Sequence, residues 1–449
     1  MSIDEIMEVL NDLLNKHDLA GIRARFSHME PVDIAEILSE VKDDTCLILF
    51  RILPKEVAAD TFSEMDPEEQ QKLINNFTDQ EVKDVLNEMY SDDAVDMLEE
   101  MPANVIRRVL STIDPADRRD LNALLQYPED SAGSVMTTEF VRLGAEMTIS
   151  DSIKWIQANG DDCEDIYTCY VTDPKQKLLG IVTVRDMLLC KQDMPISDIM
   201  DQDIISVHTT DDREIAAKYF DRYDFTALPV LDKEDRLVGI ITVDDAIDVL
   251  TEEATEDFQK IGAMAPENQP YLKTSVLKMA QNRIVWLLVL MISDMISGGI
   301  LGNFQNALTA LPILITFIPM LTDTGGNAGS QSSTLIIRGL ALHEIEYKDF
   351  FKILFKELRV ALICGFVLGL VNYIRLAIQY PGQEMVAVTV AVAMISTVIM
   401  AKTIGGVLPL IATKFHMDPA LMASPLITTI VDAGSLLIYL NIARLLLHV

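Results

Sequence analysis

Apolar positions along the chain recur in three rhythms, and each predicts a different kind of element. Between Asp66 and Leu125 the period is 12 residues, in blocks that begin at Asp66, Thr78, Tyr90, Pro102 and Asp114. Within the blocks stand the apolar pairs Leu73/Phe77, Val85/Met89, Met97/Met101, Val109/Ile113 and Leu121/Leu125. A spacing of four puts both members on one helix face, and the Pro, Asp, Thr or Ser near the block starts begin or cap helices. Each block therefore predicts a helix of about three turns, too short to be stable alone. Stacked neighbours bury a shared core, as in a solenoid.

From about residue 135 to 250 a second rhythm runs strand, turn, strand, helix, and it occurs twice. Gly180, Thr183 and Asp186 of the first copy match Gly239, Thr242 and Asp245 of the second at an offset of 59. In each copy a helix is predicted to begin just after Thr-x-x-Asp. The following segment, Thr251 to Arg283, opens as a helix crowded with Glu252, Glu253, Glu256 and Asp257, until Pro266 and Pro270 break it. The third rhythm is a set of apolar stretches of membrane-span length, at about 284–301, 307–322 (continuing irregularly towards 340), 358–378, 386–411 and 421–447. Pro312, Pro319 and the TGGNAGSQ segment interrupt the second stretch, which predicts a broken helix with a non-helical glycine loop. Such backbone is tolerated at membrane depth only when buried in protein or lining a watery cavity.

Charge divides the chain along the same line. The net charge is −33, yet the residues from Tyr271 onward hold 9 acidic and 12 basic side chains, against 60 acidic and 24 basic before them. Clustered Lys and Arg for phosphate contacts are lacking, so a nucleic-acid partner is excluded. The five cysteines are scattered and form no CxxC pair, which argues against a secreted disulfide scaffold. The six histidines form no metal-ligand spacing and no nucleophile–base pattern stands out, so the chain is not expected to be an enzyme. Met1–Leu10 is acidic and lacks the apolar segment of a signal peptide. Arg338, Lys348, Lys352, Lys356, Arg359, Lys402 and Lys414 fall in alternate connections, while 302–306 and 379–385 carry no Lys or Arg. The positive-inside rule then places the N-terminal domains in the cytoplasm and Val449 outside.

Two groups of carboxylates are candidates for chemistry. Asp432 stands inside the last apolar stretch, where a charge costs roughly 2.5–3.5 kcal/mol by insertion scales and marks an ion path by default. Asp294 and Asp323 are weaker cases that also read as capping or interfacial. Asp92, Asp93 and Asp96, without nearby cations in sequence, repel one another, and divalent cations are the usual remedy.

The tandem copies strongly resemble a pair of cystathionine-β-synthase-type (CBS) domains. That resemblance implies an adenine nucleotide, ATP, bound by Thr183, Arg185 and Asp186 with Phe225 stacking on the base; the same Thr and Asp also read simply as helix caps. The order of helical repeat, CBS pair and spans, with PMLTDTGGNAGSQSSTLIIRGLAL and DPALMASPLITTIVDAGSLLIYL, resembles MgtE-type magnesium channels. The fold class this implies is a multidomain membrane protein. It has an all-α helical-repeat N domain (1–130), an α/β tandem CBS pair (131–250), a linker or plug helix (251–283) and a five-helix α transmembrane pore domain (284–449).

The resemblance further implies a homodimer in the cell (inner) membrane that takes up Mg2+, with Asp432, Thr428, Ser424 and Pro425 at the pore. Closure follows when cytoplasmic Mg2+ bridges Asp92, Asp93, Asp96, Asp245, Asp248, Glu253, Glu256, Asp257 and Asp418. Mg2+ keeps its waters and is held by few carboxylates, which suits a pore acid that attracts without trapping. Mn2+, Co2+ and Ni2+ accept similar oxygen ligands, so the choice of Mg2+ rests on the resemblance. The alternative is a membrane-anchored CBS nucleotide sensor without transport, which has no need of Asp432 or of a glycine-interrupted span.

Overall fold

A computed structural model describes residues 3–115, 117–267, 271–341, 344–415, 417–422 and 424–448, with backbone alone at Ile3, Asp4, Met422 and Ser424. The chain divides into two compact units, Met1–Leu250 and Thr251–Val449. The first unit opens with short helices: α1 (Ile3–Asn15), α2 (Leu19–Phe26), α3 (Pro31–Ser39), α4 (Asp43–Phe50), α5 (Lys55–Ser63), α6 (Pro67–Asn76), α7 (Asp79–Leu86), α8 (Ser91–Glu99), α9 (Ala103–Thr112) and α10 (Asp117–Leu124). The predicted 12-residue blocks become α6 to α10, and the paired apolar residues are their buried face. Leu73, Phe77, Val85, Met97, Met101, Val109, Ile113 and Leu121 are all buried. Thr78 shows why a block starts where it does, since its hydroxyl and the Glu81 carboxylate form a reciprocal capping box.

Next come two sheets of identical topology. β1 (Phe140–Gly144) pairs parallel with β2 (Asp165–Thr172), which pairs antiparallel with β3 (Leu178–Thr183). β4 (Val207–His208), β5 (Ala227–Leu231) and β6 (Leu237–Thr242) repeat the arrangement. Helices α11 (Ile149–Asn159), α12 (Val184–Leu189), α13 (Arg213–Tyr223) and α14 (Val243–Ile261) complete the pair. The copies lock onto each other's connecting segments: Ile181 exchanges backbone bonds with Asp201, and Ile240 with Thr137. This explains the matched glycines. A Cβ at Gly180 would stand 2.9 Å from the Asp201 carbonyl, and one at Gly239 2.7 Å from that of Thr137.

In the second unit, α15 (Val276–Asn303), α16 (Gln305–Ala310), α17 (Ile318–Ala341), α18 (Phe350–Gln379), α19 (Glu384–Lys414) and α20 (Ser424–Leu447) form an all-helical body. Among the described residues four helices are long and apolar enough to cross a membrane: Val276–Asn303, Tyr347–Gln379, Glu384–Lys414 and Pro425–Leu447. α17 has the length, 24 residues, but carries the polar stretch from Thr322 to Thr334.

Here the structure corrects the sequence reading. The break lies at Pro312–Phe317, a 3₁₀ segment, whereas the TGGNAGSQ segment expected to be a loop is helical throughout. Tertiary packing overrides the low helix propensity of glycine. Gly325, Gly326 and Gly329 are buried where a Cβ would fall within 2.8–2.9 Å of side chains on α19 or α20. Lys402, counted above among the loop charges, lies inside α19 and is buried. Pro270, expected to break the linker, lies outside the described residues.

Candidate functional site

The N-terminus of α8 is pinned to the CBS pair by Ser91. Its hydroxyl donates to Glu139 Oε2 at 2.7 Å and accepts from the Thr138 N–H at 3.0 Å. That anchor turns Asp92 inward, where it meets Glu164, from the residues ahead of β2, and Asp245, from the first turn of α14. Their oxygens all lie within 4.8 Å of one another. Asp245 also accepts from the Thr242 hydroxyl at 2.6 Å.

Every group in this cluster resists ionisation. Burial, then Asp245 and Glu164, pushes Asp92 well above the ordinary carboxylate range. Burial, followed by Asp245, lifts Asp93 to about 7 and Glu164 to about 8. Asp245 rises less, to about 6: burial lifts it, while the Thr242 hydroxyl holds it down. Oxygens that converge while their charges repel form a donor set of the kind hard divalent ions take. A divalent ion held by Asp92, Glu164 and Asp245 would turn that repulsion into attraction.

Asp96 and Asp248 are exposed, outside this trio. Asp248 and Asp244 face Glu64, whose carboxyl is raised by burial first and by those two charges next. Glu164 and Glu64 were not read from the sequence. Neither stands in a motif, and only the packing of α8 and its neighbours against the CBS pair reveals them.

The nucleotide candidates divide. Thr183 and Asp186 form a reciprocal capping box at the start of α12, which is the structural reading of that pair. Arg185 is exposed. Phe225 is half-buried and stacks on Tyr223, with ring centroids 5.4 Å apart. Thr168, opposite Thr183 in the β2–β3 register, meets the hydroxyl of Thr226, beside Phe225, at 3.3 Å. The two halves of the expected nucleotide site therefore share one neighbourhood.

In the second unit Asp432 projects from α20 with a buried Oδ1 that has no hydrogen-bond partner among the described residues. Asp294 of α15 and Asp323 of α17 stand within its electrostatic reach. Thr428, one turn earlier on α20, packs on Gly326, where a Cβ would lie 2.9 Å from its methyl. Pro425 begins the described part of the span, and the side chain of Ser424 lies outside the described residues.

Glu253, Glu256 and Asp257 are half-buried on α14. Between Glu256 and Asp418 sits an ammonium: Lys260 Nζ lies 2.6 Å from Glu256 and 2.7 Å from Asp418. Burial works to lower the Lys260 pKa, but its bonds to Asp418 and Glu256 outweigh that and raise it. The other oxygen of Asp418 accepts from the Ala420 N–H at 2.7 Å.

Residues 318–442 match the family model described as "Divalent cation transporter", 29–130 the MgtE intracellular N domain, and 132–192 and 196–252 the CBS domain. The magnesium transporter MgtE of Thermus thermophilus is 35% identical over 443 residues, covering 98% of both chains. That of Bacillus subtilis is 31% identical over 448 residues, covering 100% of this chain and 99% of its own. A crystal structure of the cytosolic domain of the Mg2+ channel MgtE in complex with ATP is 33% identical, with a TM-score of 0.52, and covers 54% of this chain and 99% of that one. With relatives at this identity over nearly the whole length, the chain belongs to the MgtE family of divalent cation transporters.

Proposed function

We propose that the protein is a Mg2+ channel of the cell (inner) membrane, a homodimer that admits Mg2+ and closes when cytoplasmic Mg2+ rises. The observation that carries permeation is Asp432. A carboxylate on a membrane helix, with one buried oxygen unpartnered among the described residues and two further acids nearby, attracts a divalent cation. Its ligand field is thin, so a hydrated ion is drawn in and released again. A membrane-anchored nucleotide sensor has no use for this constellation.

Closure is carried by the acids of the first unit. Without metal, Asp92, Asp93, Glu164 and Asp245 repel one another. A divalent ion bound by Asp92, Glu164 and Asp245 replaces that repulsion with attraction and ties α8 to α14. Asp96 and Asp248 in the first unit, and Glu253 and Asp257 in the second, are further acids on which ions act. Moving a two-state gate from 1:99 to 99:1 takes about 5.5 kcal/mol of differential binding, which several weak sites supply jointly. At Asp418 the bridging cation is Lys260 itself, so that contact needs no metal. ATP binding by the CBS pair, through Thr183, Arg185, Asp186 and Phe225, is a further proposal, supported by the relative crystallised with ATP. The test is ion flux into liposomes. Wild type is expected to pass Mg2+ and Asp432→Ala to pass less than a tenth as much; equal flux would overturn the permeation reading.

A further inference from the structure

Among the described residues of the second unit, Glu357 of α18 and Lys402 of α19 are the buried charged side chains, 9% and 6% exposed. Nothing in the function proposed above uses them. They meet through one hydroxyl. Ser332 of α17 donates to Glu357 Oε2 at 2.6 Å, and the Lys402 ammonium donates to Ser332 Oγ at 3.3 Å and to the Ala328 carbonyl at 3.5 Å. The packing makes room for this chain of contacts. A Cβ at Gly406 would stand 2.9 Å from Glu357 Cγ, and one at Gly405 2.2 Å from the Gly329 carbonyl oxygen.

The ammonium meets α17 at Ala328, on the stretch of that helix that also packs on α20. The α17 glycines around Ala328 lie directly on α20: Gly325 on Val431 and Ser435, Gly326 on Thr428, Gly329 on Ile427. Lys402 is thus about one helix spacing, roughly 8–10 Å, from the helix that carries Asp432. It also lines an open, mostly apolar cavity of about 410 Å³ between α17, α18 and α19, to which Thr324, Asn327 and Gln331 contribute polar groups. Asn327 in turn donates to Asp323 at 3.3 Å. In a medium of low dielectric an uncompensated ammonium there opposes a divalent ion with twice the force it exerts on a monovalent one.

We propose that Glu357 is the charge-compensating residue of the cation path: linked through Ser332, it offsets the Lys402 ammonium and keeps the wall formed by α17 from presenting net positive charge to the ion. The inference rests on permeation beside Asp432, and it assigns the pair an electrostatic role rather than that of a mechanical pin between helices. The two roles differ in sign. Removing the carboxylate alone leaves a bare positive charge, whereas removing the ammonium alone leaves a negative one.

The test is Mg2+ flux of the full-length protein in liposomes, normalised to folded protein by size-exclusion chromatography, for Glu357→Gln, Lys402→Met, the double variant, Glu357→Asp and Asp432→Ala. The expected result is a loss of at least tenfold in Glu357→Gln, flux within twofold of wild type or higher in Lys402→Met, and recovery to within threefold in the double variant. Glu357→Asp keeps the charge but shortens the reach to Ser332, and is expected to keep most of the flux. Equal losses in both single variants with no recovery in the double would overturn the proposal in favour of a pin, as would wild-type flux in Glu357→Gln. Should Glu357→Gln fail to fold, the double variant and Glu357→Asp decide: low flux in both overturns the proposal. Asp432→Ala separates the layers, because unchanged flux there removes the permeation reading itself.

Discussion

The two CBS copies present one motif in two settings. Thr183-x-x-Asp186 and Thr242-x-x-Asp245 have the same spacing, both follow the third strand of a sheet, and in both the Thr hydroxyl donates to the Asp carboxylate. Asp186 is exposed and caps α12. Asp245 is packed beside Asp92 and Glu164 and is pushed up to about 6. The difference comes from what stands opposite: α8 is pinned against the CBS pair by Ser91. Neighbours decide whether a capping carboxylate stays solvated or joins a convergent acidic cluster.

The largest expected effect tests that contrast directly. Asp245→Asn should raise the cytoplasmic Mg2+ needed for half-closure at least tenfold in liposome flux, while Asp186→Asn leaves it within twofold. Equal effects would mean that the motif itself, not its setting, governs closure.

Proton linkage gives the next. The folded-state pKa values of Asp245, Asp93 and Glu164 are raised to about 6, 7 and 8. Their favourable contribution is therefore fully present below the ordinary carboxylate range near 4 and is lost as pH rises through about 6 to 8. Hydrogen exchange at the α8 amides, corrected for intrinsic rates and measured in chelator, should show protection falling from about pH 5 to about pH 8. Added Mg2+ should restore it at the higher pH and do little at the lower. The amides that follow Thr183 should show no metal-linked change.

A smaller effect is expected at Lys260, where the bridging cation is covalently attached. Lys260→Met should raise flux in low Mg2+ about threefold, an effect of about 0.65 kcal/mol on the closed state, and unchanged flux would remove Lys260 from the gate. The smallest effect separates the two threonines. Thr183→Val and Thr242→Val should each cost about 1 kcal/mol of cap stability. Only Thr242→Val should move the pH midpoint of α8 protection, and upward, because it removes the hydroxyl that holds the Asp245 pKa down.

Much of the fold was legible because it follows from periodicity. The 12-residue blocks, the offset of 59 and the long apolar helices each state a local rule that tertiary structure then obeys. The glycine segment was misread as a loop because isolated Gly-Gly signals a turn, whereas here the missing side chains let α17 lie directly on α19 and α20. Asp92 and Asp432 were legible as carboxylates in places that disfavour charge, and Asp245 as the second copy of the Thr-x-x-Asp motif. Glu164 was not, since nothing near it in sequence marks it and only the approach of α8 gives it partners. Lys260 and Lys402 were legible only as charges, because Asp418 and Glu357, the acids they meet or offset, come from residues far along the chain.

The most direct measurement is Mg2+ flux through the reconstituted protein at concentrations well below and well above its half-closing cytoplasmic Mg2+, for wild type and for Asp92→Asn/Glu164→Gln/Asp245→Asn together. Wild type should shut at the higher concentration and the triple variant should keep conducting. A triple variant that shuts at the same concentration as wild type would contradict closure by metal bound among these three carboxylates.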